Sequence, residues 1–320
     1  MAQQYPAHRN VTLRLLEPLG APEETNAQAP GPATASHAAG SPAAAPPGVA
    51  IVLEGVSVRV AGHTILDEID LDIEAGAHLA IVGPSGAGKS SLVGILLGWH
   101  RPASGRVLID GWPLDSKRLE GLRRDTAWVD PTVQLWNRAL LDNLRYGLPT
   151  AASPPLDQVI EAADRRDLLE KLPDGLQTPL GEGGTLVSGG EGQRGRLGRG
   201  LLRPGVRLVI LDEPFRGLDR EHRRELLARA RRWWRAATLL CITHDVGETQ
   251  GFDRVLVVEA GQIVEDGVPA DLAARPSSRY RALLEAEREV REGFWSSGVW
   301  RLLRLEGGRL VEAGRNGGTA

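Results

Sequence analysis

Eight residues, Gly83 to Ser90 (GPSGAGKS), constrain this chain more than any other stretch. They match the pattern G-x-x-x-x-G-K-[ST] at every required position. Gly83, Gly86 and Gly88 let backbone N–H groups turn inward around phosphate oxygens, with Pro84, Ser85 and Ala87 completing the turn. Lys89 is placed to reach the β- and γ-phosphates of a nucleotide, and Ser90 to supply a Mg²⁺ ligand. Ser91 continues into a helix whose positive end faces the anion. The apolar run HLAIVG precedes the loop and GKSSLVGILLG follows it. That strand–loop–helix setting separates the motif from a chance glycine-rich turn.

The surrounding pattern predicts an α/β fold. IVLEGVSVRV and HTILDEIDLDI alternate apolar and polar residues, as half-buried strands do. RVLID, TAWVD, RLVILDEP, TLLCITHD and RVLVVEA read as buried strands with helical stretches between them. Such alternation implies a mostly parallel sheet with helices on both faces. Residues 137 to 187 hold no comparable strand run, and with the helix after Ser188 they read as a helical insertion. Residues 24–49 are dominated by Ala, Pro, Gly and Ser and read as a disordered linker. In the tail, Arg254 to Gly267 resembles Arg301 to Gly314; both read as strand, glycine turn, strand.

Composition narrows the partners. The net charge of −3 gives no global pull toward nucleic acid or anionic lipid. The arginine-rich stretch REHRRELLARARRWWR has Glu221–Arg224 and Glu225–Arg229 at helical spacing, which reads as a solvated face rather than a nucleic-acid surface. Cys241 is the single cysteine, so no internal disulfide forms; in TLLCIT it reads as a core residue. No apolar run approaches the roughly 20 residues that span a bilayer, and the N-terminus lacks a signal-peptide plan. The expectation is a cytoplasmic chain, for which any membrane role must come through a partner.

Two further motifs carry chemistry. LVILDEP ends in Asp212, which closes a buried strand where a carboxylate can hold Mg²⁺ through water, and in Glu213, placed to polarise an attacking water. VSGGE supplies Ser188, Gly189 and Gly190 as the N-terminus of a helix, a ready anion site.

In this order, GPSGAGKS, VSGGE, LVILDEP, RGLD (Arg216 to Asp219) and THD with His244 resemble the nucleotide-binding domain of ABC transporters, over about residues 50–275. The resemblance implies a RecA-like, mostly parallel sheet core, an antiparallel β-subdomain, and a helical insertion (about 132–203) carrying the signature VSGGE. It implies ATP and Mg²⁺ as cofactors, and a second cassette packed head to tail. Ser188 and Gly190 would then contact ATP held by the opposite subunit, His244 the γ-phosphate, and Asp219 would help join the two sites. Glu213 and His244 become the catalytic pair.

LPDGLQTPLGEGGTLVSGGE, with Thr178, Gly181, Glu182 and Gly184, is similar to the exporter-type approach to the signature, as LLDNLRYG is to the exporter stretch further upstream. Residues 1–23 resemble a connection from a membrane domain to its cassette, and residues 276–320 read as a C-terminal helix with an extra β-hairpin. The resemblance thus implies a transmembrane-domain partner and a place on the cytoplasmic face of the membrane.

Two positions depart from the family pattern. Val60 stands where an aromatic ring usually stacks on adenine, with His63 nearby, a difference of roughly 1 kcal/mol by analogy with other base–aromatic contacts. Pro131 stands where a glutamine usually meets the metal; Asp130, Thr132 and Gln134 are the candidate substitutes, and Trp128 and Trp136 flank the gap. Three readings follow: an export ATPase, a non-transport ABC ATPase, and a regulatory cassette of a heterodimer. The first is preferred, since no heptads interrupt the cassette, only one cassette is present, and Glu213 and His244 are retained.

Overall fold

Successive residues of the buried strands divide between two apolar cores, and that division places the site. The computed structural model describes residues 48–130, 132, 135–148, 154–163, 169, 172–181, 187, 189–296, 303–306 and 309–312, within the compact unit Pro46–Ala320. The readings of residues 1–23 as a connection and 24–47 as a linker lie outside them, as do Pro131, Gln134, Glu182, Gly184 and Ser188.

The chain enters through β1 (Ile51–Val60) and β2 (His63–Ile73), an antiparallel pair. β3 (His78–Val82) and α1 (Lys89–Leu96) follow, flanking the glycine-rich loop as the sequence predicts. β4 (Ser104–Ile109) and β5 (Trp112–Pro113) complete a four-stranded antiparallel sheet of order β2-β1-β4-β5. α2 (Ser116–Arg124), β6 (Thr126–Val129), α3 (Leu140–Arg145), α4 (Leu156–Ala162) and α5 (Gly189–Leu201) come next. Then run β7 (Leu208–Asp212), α6 (Arg220–Trp233), β8 (Thr238–Ile242), β9 (Arg254–Glu259) and β10 (Gln262–Gly267). α7 (Pro269–Ala274), α8 (Arg279–Ser296), β11 (Leu303–Glu306) and β12 (Arg309–Glu312) end the described chain.

The second sheet has the order β10-β9-β3-β8-β7-β6, parallel throughout except for the β9–β10 hairpin at its edge. β3, β7 and β8 are buried along their whole length, which is why they read as continuous apolar runs rather than alternating ones. Leu79 and Ile81 of β3 face one core with the antiparallel sheet and α1; Ala80 and Val82 face the other, with α5 and α6. Full burial of Leu79, Ile81 or Val82 contributes about 1.5–3 kcal/mol each.

α5 is rich in glycine, each costing about 1 kcal/mol of helix propensity relative to alanine. Packing offsets this: a β-carbon at Gly198 would sit 2.8 Å from Leu144 Cδ2 of α3. The tail hairpin β11–β12 repeats the β9–β10 hairpin in register. Glu259 pairs with Gln262 and Glu306 with Arg309, at equivalent places of the repeat. Beyond Ile263 the two hairpins differ, because β10 shifts its register there and β12 keeps its own.

Candidate functional site

β3, β8 and β7 lie side by side and parallel, so their carboxyl ends open on one edge of the sheet. Ligand sites of open α/β sheets form at such ends. Here β3 delivers Gly83, β8 delivers Thr243 and His244, and β7 delivers Asp212 and Glu213. Backbone bonds tie the three ends together: Glu213 N donates to Ile242 O at 3.0 Å, and Thr243 N to Ile81 O at 3.3 Å.

The loop after β3 needs its glycines. Gly83, Gly86 and Gly88 have φ of 142°, 77° and 103°. At Gly83 a β-carbon would lie 2.0 Å from Val258 O, so only glycine lets the loop leave β3 beside β9. Pro84, Ser85 and Gly86 are exposed, whereas Ala87, Gly88 and Lys89 are buried. Ala87 O accepts from Gly261 N at 2.9 Å, which braces the loop on the β9–β10 turn. Ser91 is half-buried on the first turn of α1.

Lys89 points back into its own loop. Its Nζ donates to Gly83 O at 2.9 Å and to Pro84 O at 2.7 Å. Burial lowers its pKa, while the charges of Glu213 and Asp212 act the other way. Asp212 is buried, and burial raises its pKa; the hydrogen bond from Ser90 is the largest opposing influence. Ser90 and Asp212 therefore present two hard oxygen donors in contact, a set that suits Mg²⁺ completed by phosphate and water oxygens.

Glu213 sits at φ 46°, a left-handed conformation unusual for a residue with a β-carbon. Such strain persists only where the surroundings fix it, and no local sequence signal announces it. His244 Nε2 lies 2.6 Å from Glu213 Oε1, and Arg216 Nη1 lies 4.0 Å from Glu213 Oε2. Ser85, Glu213, Arg216, Thr243 and His244 line one cavity of about 370 Å³. Arg223, Asp245 and Glu248 line the same cavity; Arg223 binds Asp245 and, at 3.1 Å, Glu248, a network that motif reading missed.

Gly189 and Gly190 do not line that cavity; they open α5, and a β-carbon at Gly190 would meet Leu218 Cδ2 at 2.4 Å. Asp219 caps α6, accepting from His222 N at 3.0 Å, and that bond is the largest cause of its lowered pKa. Asp130 is buried, accepts from Thr132 N and Oγ1 at 2.5 Å, and helps raise the Asp212 pKa. Of the candidate substitutes at that loop, Asp130 is thus the one whose charge reaches Asp212. Val60 is exposed at the end of β1 and His63 at the start of β2. Trp128 is half-buried against Trp99, with ring centroids 4.9 Å apart, and Trp136 is exposed beside Tyr146.

Comparison with known proteins agrees with this geometry. Residues 66–216 match the family model described as ABC transporter. The chain is 38% identical over 217 residues to an ATP-dependent lipid A-core flippase of Ralstonia nicotianae, covering 67% of this chain and 36% of that protein. It is 33% identical over 228 residues to the ABC transporter ATM1 of Toxoplasma gondii, covering 71% of this chain and 20% of that one. The structure of a bacterial Atm1-family ABC exporter with ATP bound superposes with a TM-score of 0.70 at 29% identity, over 75% of this chain and 42% of that chain. The chain thus spans well under half the length of these relatives. Among the described residues, no helix is long and apolar enough to cross a membrane.

Proposed function

With its core identified as an exporter-type ABC nucleotide-binding domain, we propose that this chain binds and hydrolyses ATP and so powers export through a membrane domain. The observation that carries this reading is the convergence of Gly83–Ser90, Asp212–Glu213 and Thr243–His244 at adjacent strand ends. The backbone N–H groups of the loop and Lys89 hold the phosphates. Lys89 exchanges its bonds to Gly83 O and Pro84 O for phosphate oxygens. Ser90 and Asp212 would hold Mg²⁺, which would supply positive charge to the phosphate oxygens. Glu213 orients and deprotonates the attacking water, and His244 positions the Glu213 carboxylate from 2.6 Å.

Two cassettes close on each other in the working cycle. Ser188, Gly189 and Gly190 of one face the nucleotide of the other, and Asp219 links the two sites. Closing and reopening the pair drives a membrane domain, which holds the chain on the cytoplasmic face. Exposed Trp136 and Tyr146, 5.6 Å apart at their centroids, suit docking of that apolar partner. Val60, exposed and without a ring, favours the alternative of a regulatory cassette with low activity. The contact between Glu213 and His244 favours hydrolysis. Mg²⁺-dependent release of phosphate from ATP by the purified chain, alone and with a membrane-domain partner, tests the reading. ATP binding without turnover in either state would select the regulatory alternative.

A further inference from the structure

A second cavity, of about 250 Å³, opens between α6, the turn Val246–Gly251 and α8. Arg220 and Arg224 line it from successive turns of α6, and Arg288 lines it from α8. Gln250 adds an amide and Glu287 a carboxylate, whose Oε2 already accepts from Gly247 N at 2.7 Å. Three guanidinium groups therefore face a single carboxylate among the lining residues. The Arg220 Nε is shielded from water and makes no hydrogen bond. Its Nη2 and the Glu287 carboxylate both stand beside Gly247, 2.9 and 3.2 Å from where a β-carbon would lie. The helical spacing of Glu221 and Arg224 suggested an ion pair, yet Arg224 turns to this cavity instead. 

Clustering three guanidinium charges around one cavity costs free energy through like-charge repulsion, which a bound anion relieves. Guanidinium forks bind phosphate oxygens in bidentate pairs, and a phosphate carries enough charge to engage more than one of the three. We propose that this cavity binds a phosphate group, supplied as free phosphate or as a phosphorylated headgroup, at a site separate from the glycine-rich loop. The bound anion joins three elements: α6, which begins directly after Asp219, the turn that begins two residues after His244, and α8. Occupancy thus stiffens the segments that carry both residues.

The test uses the full chain carrying Lys89→Ala, which weakens the glycine-rich loop as a phosphate binder, so that the arginine substitutions below report on the second cavity. Inorganic phosphate is titrated by calorimetry, and vesicles of phosphatidylcholine with and without phosphatidic acid are tested by flotation. One phosphate per chain is expected, or selective flotation with the acidic vesicles; the first assigns the free anion and the second the headgroup. Adding Arg224→Ala and Arg288→Ala, both exposed positions, should weaken that binding at least tenfold. Should the double variant not fold, as judged by circular dichroism, Arg288→Gln alone should weaken it severalfold. Absence of both kinds of binding, or binding unaffected by these substitutions, overturns the proposal. Neither result bears on ATP hydrolysis by the unsubstituted chain.

Discussion

His244 Nε2 stands 2.6 Å from Glu213 Oε1, joining the ends of two neighbouring strands through their side chains. His244 is half exposed, so replacing it removes little buried surface. His244→Ala should lower ATP turnover by about 10²-fold or more, the usual weight of a positioned acid–base partner. Its Tm should move by no more than roughly 2 °C, as for a surface substitution. Steady-state phosphate release and differential scanning calorimetry on the same preparation measure both. A turnover loss that simply tracks loss of folded protein would contradict the assignment.

Lys89 is buried and bonded to two carbonyls of its own loop. Lys89→Ala should weaken ATP binding at least about tenfold, since the main cation facing the phosphates is lost. The desolvated ammonium is a cost to the ligand-free fold, so stability without nucleotide should fall by no more than about 1 kcal/mol. Equilibrium titration with a fluorescent ATP analogue and urea unfolding test the two halves separately.

Asp212 gives the fold a pH signature. Burial raises its folded-state pKa above the unfolded value, which is about 3.9. Such a carboxyl costs no stability below the unfolded pKa; the cost grows as pH rises through the folded pKa and stays constant above it. Asp212→Asn should therefore raise ligand-free Tm near pH 7 by roughly 2–4 °C, or about 1 kcal/mol for a domain of this size. The gain should vanish at about pH 4 or below. The same substitution should abolish the Mg²⁺ dependence of nucleotide binding. A lower Tm near neutrality would show that the Ser90 contact outweighs the burial.

Two glycines of one loop should respond differently to alanine. At Gly83 the new β-carbon meets the Val258 carbonyl at 2.0 Å, so β9 must move away from β3. A loss of at least about 3 kcal/mol is expected. At Gly86 nothing lies within 4 Å and only the positive φ of 77° opposes the change, a cost of about 1 kcal/mol. Urea unfolding of the two variants measures the difference.

Much of this architecture was legible in the sequence because β3, β7 and β8 are buried on both faces, so their apolar runs stand out. The order of motifs along the chain was equally plain. What linear reading could not supply is lateral order. That β8 lies between β3 and β7, and so sets His244 against Glu213, follows from strand pairing between distant segments. The left-handed Glu213 was hidden because the conformation is imposed by neighbouring strands, not by residue type. Helical spacing correctly anticipated Glu225–Arg229, at 2.5 Å. It failed for Glu221–Arg224, whose arginine lines the second cavity instead. Irregularity in β1, where the register shifts between Leu53 and Val56, likewise blurs an alternation that would otherwise be strict.

On the proposed function, hydrolysis by this chain would rest on Glu213 activating the water that cleaves ATP. The decisive comparison is single-turnover phosphate release from MgATP by the unsubstituted chain and by Glu213→Gln, with ATP affinity measured in parallel. The variant should bind ATP within about threefold of the unsubstituted chain while releasing phosphate at least about 10²-fold more slowly. Undiminished release by Glu213→Gln would contradict that role.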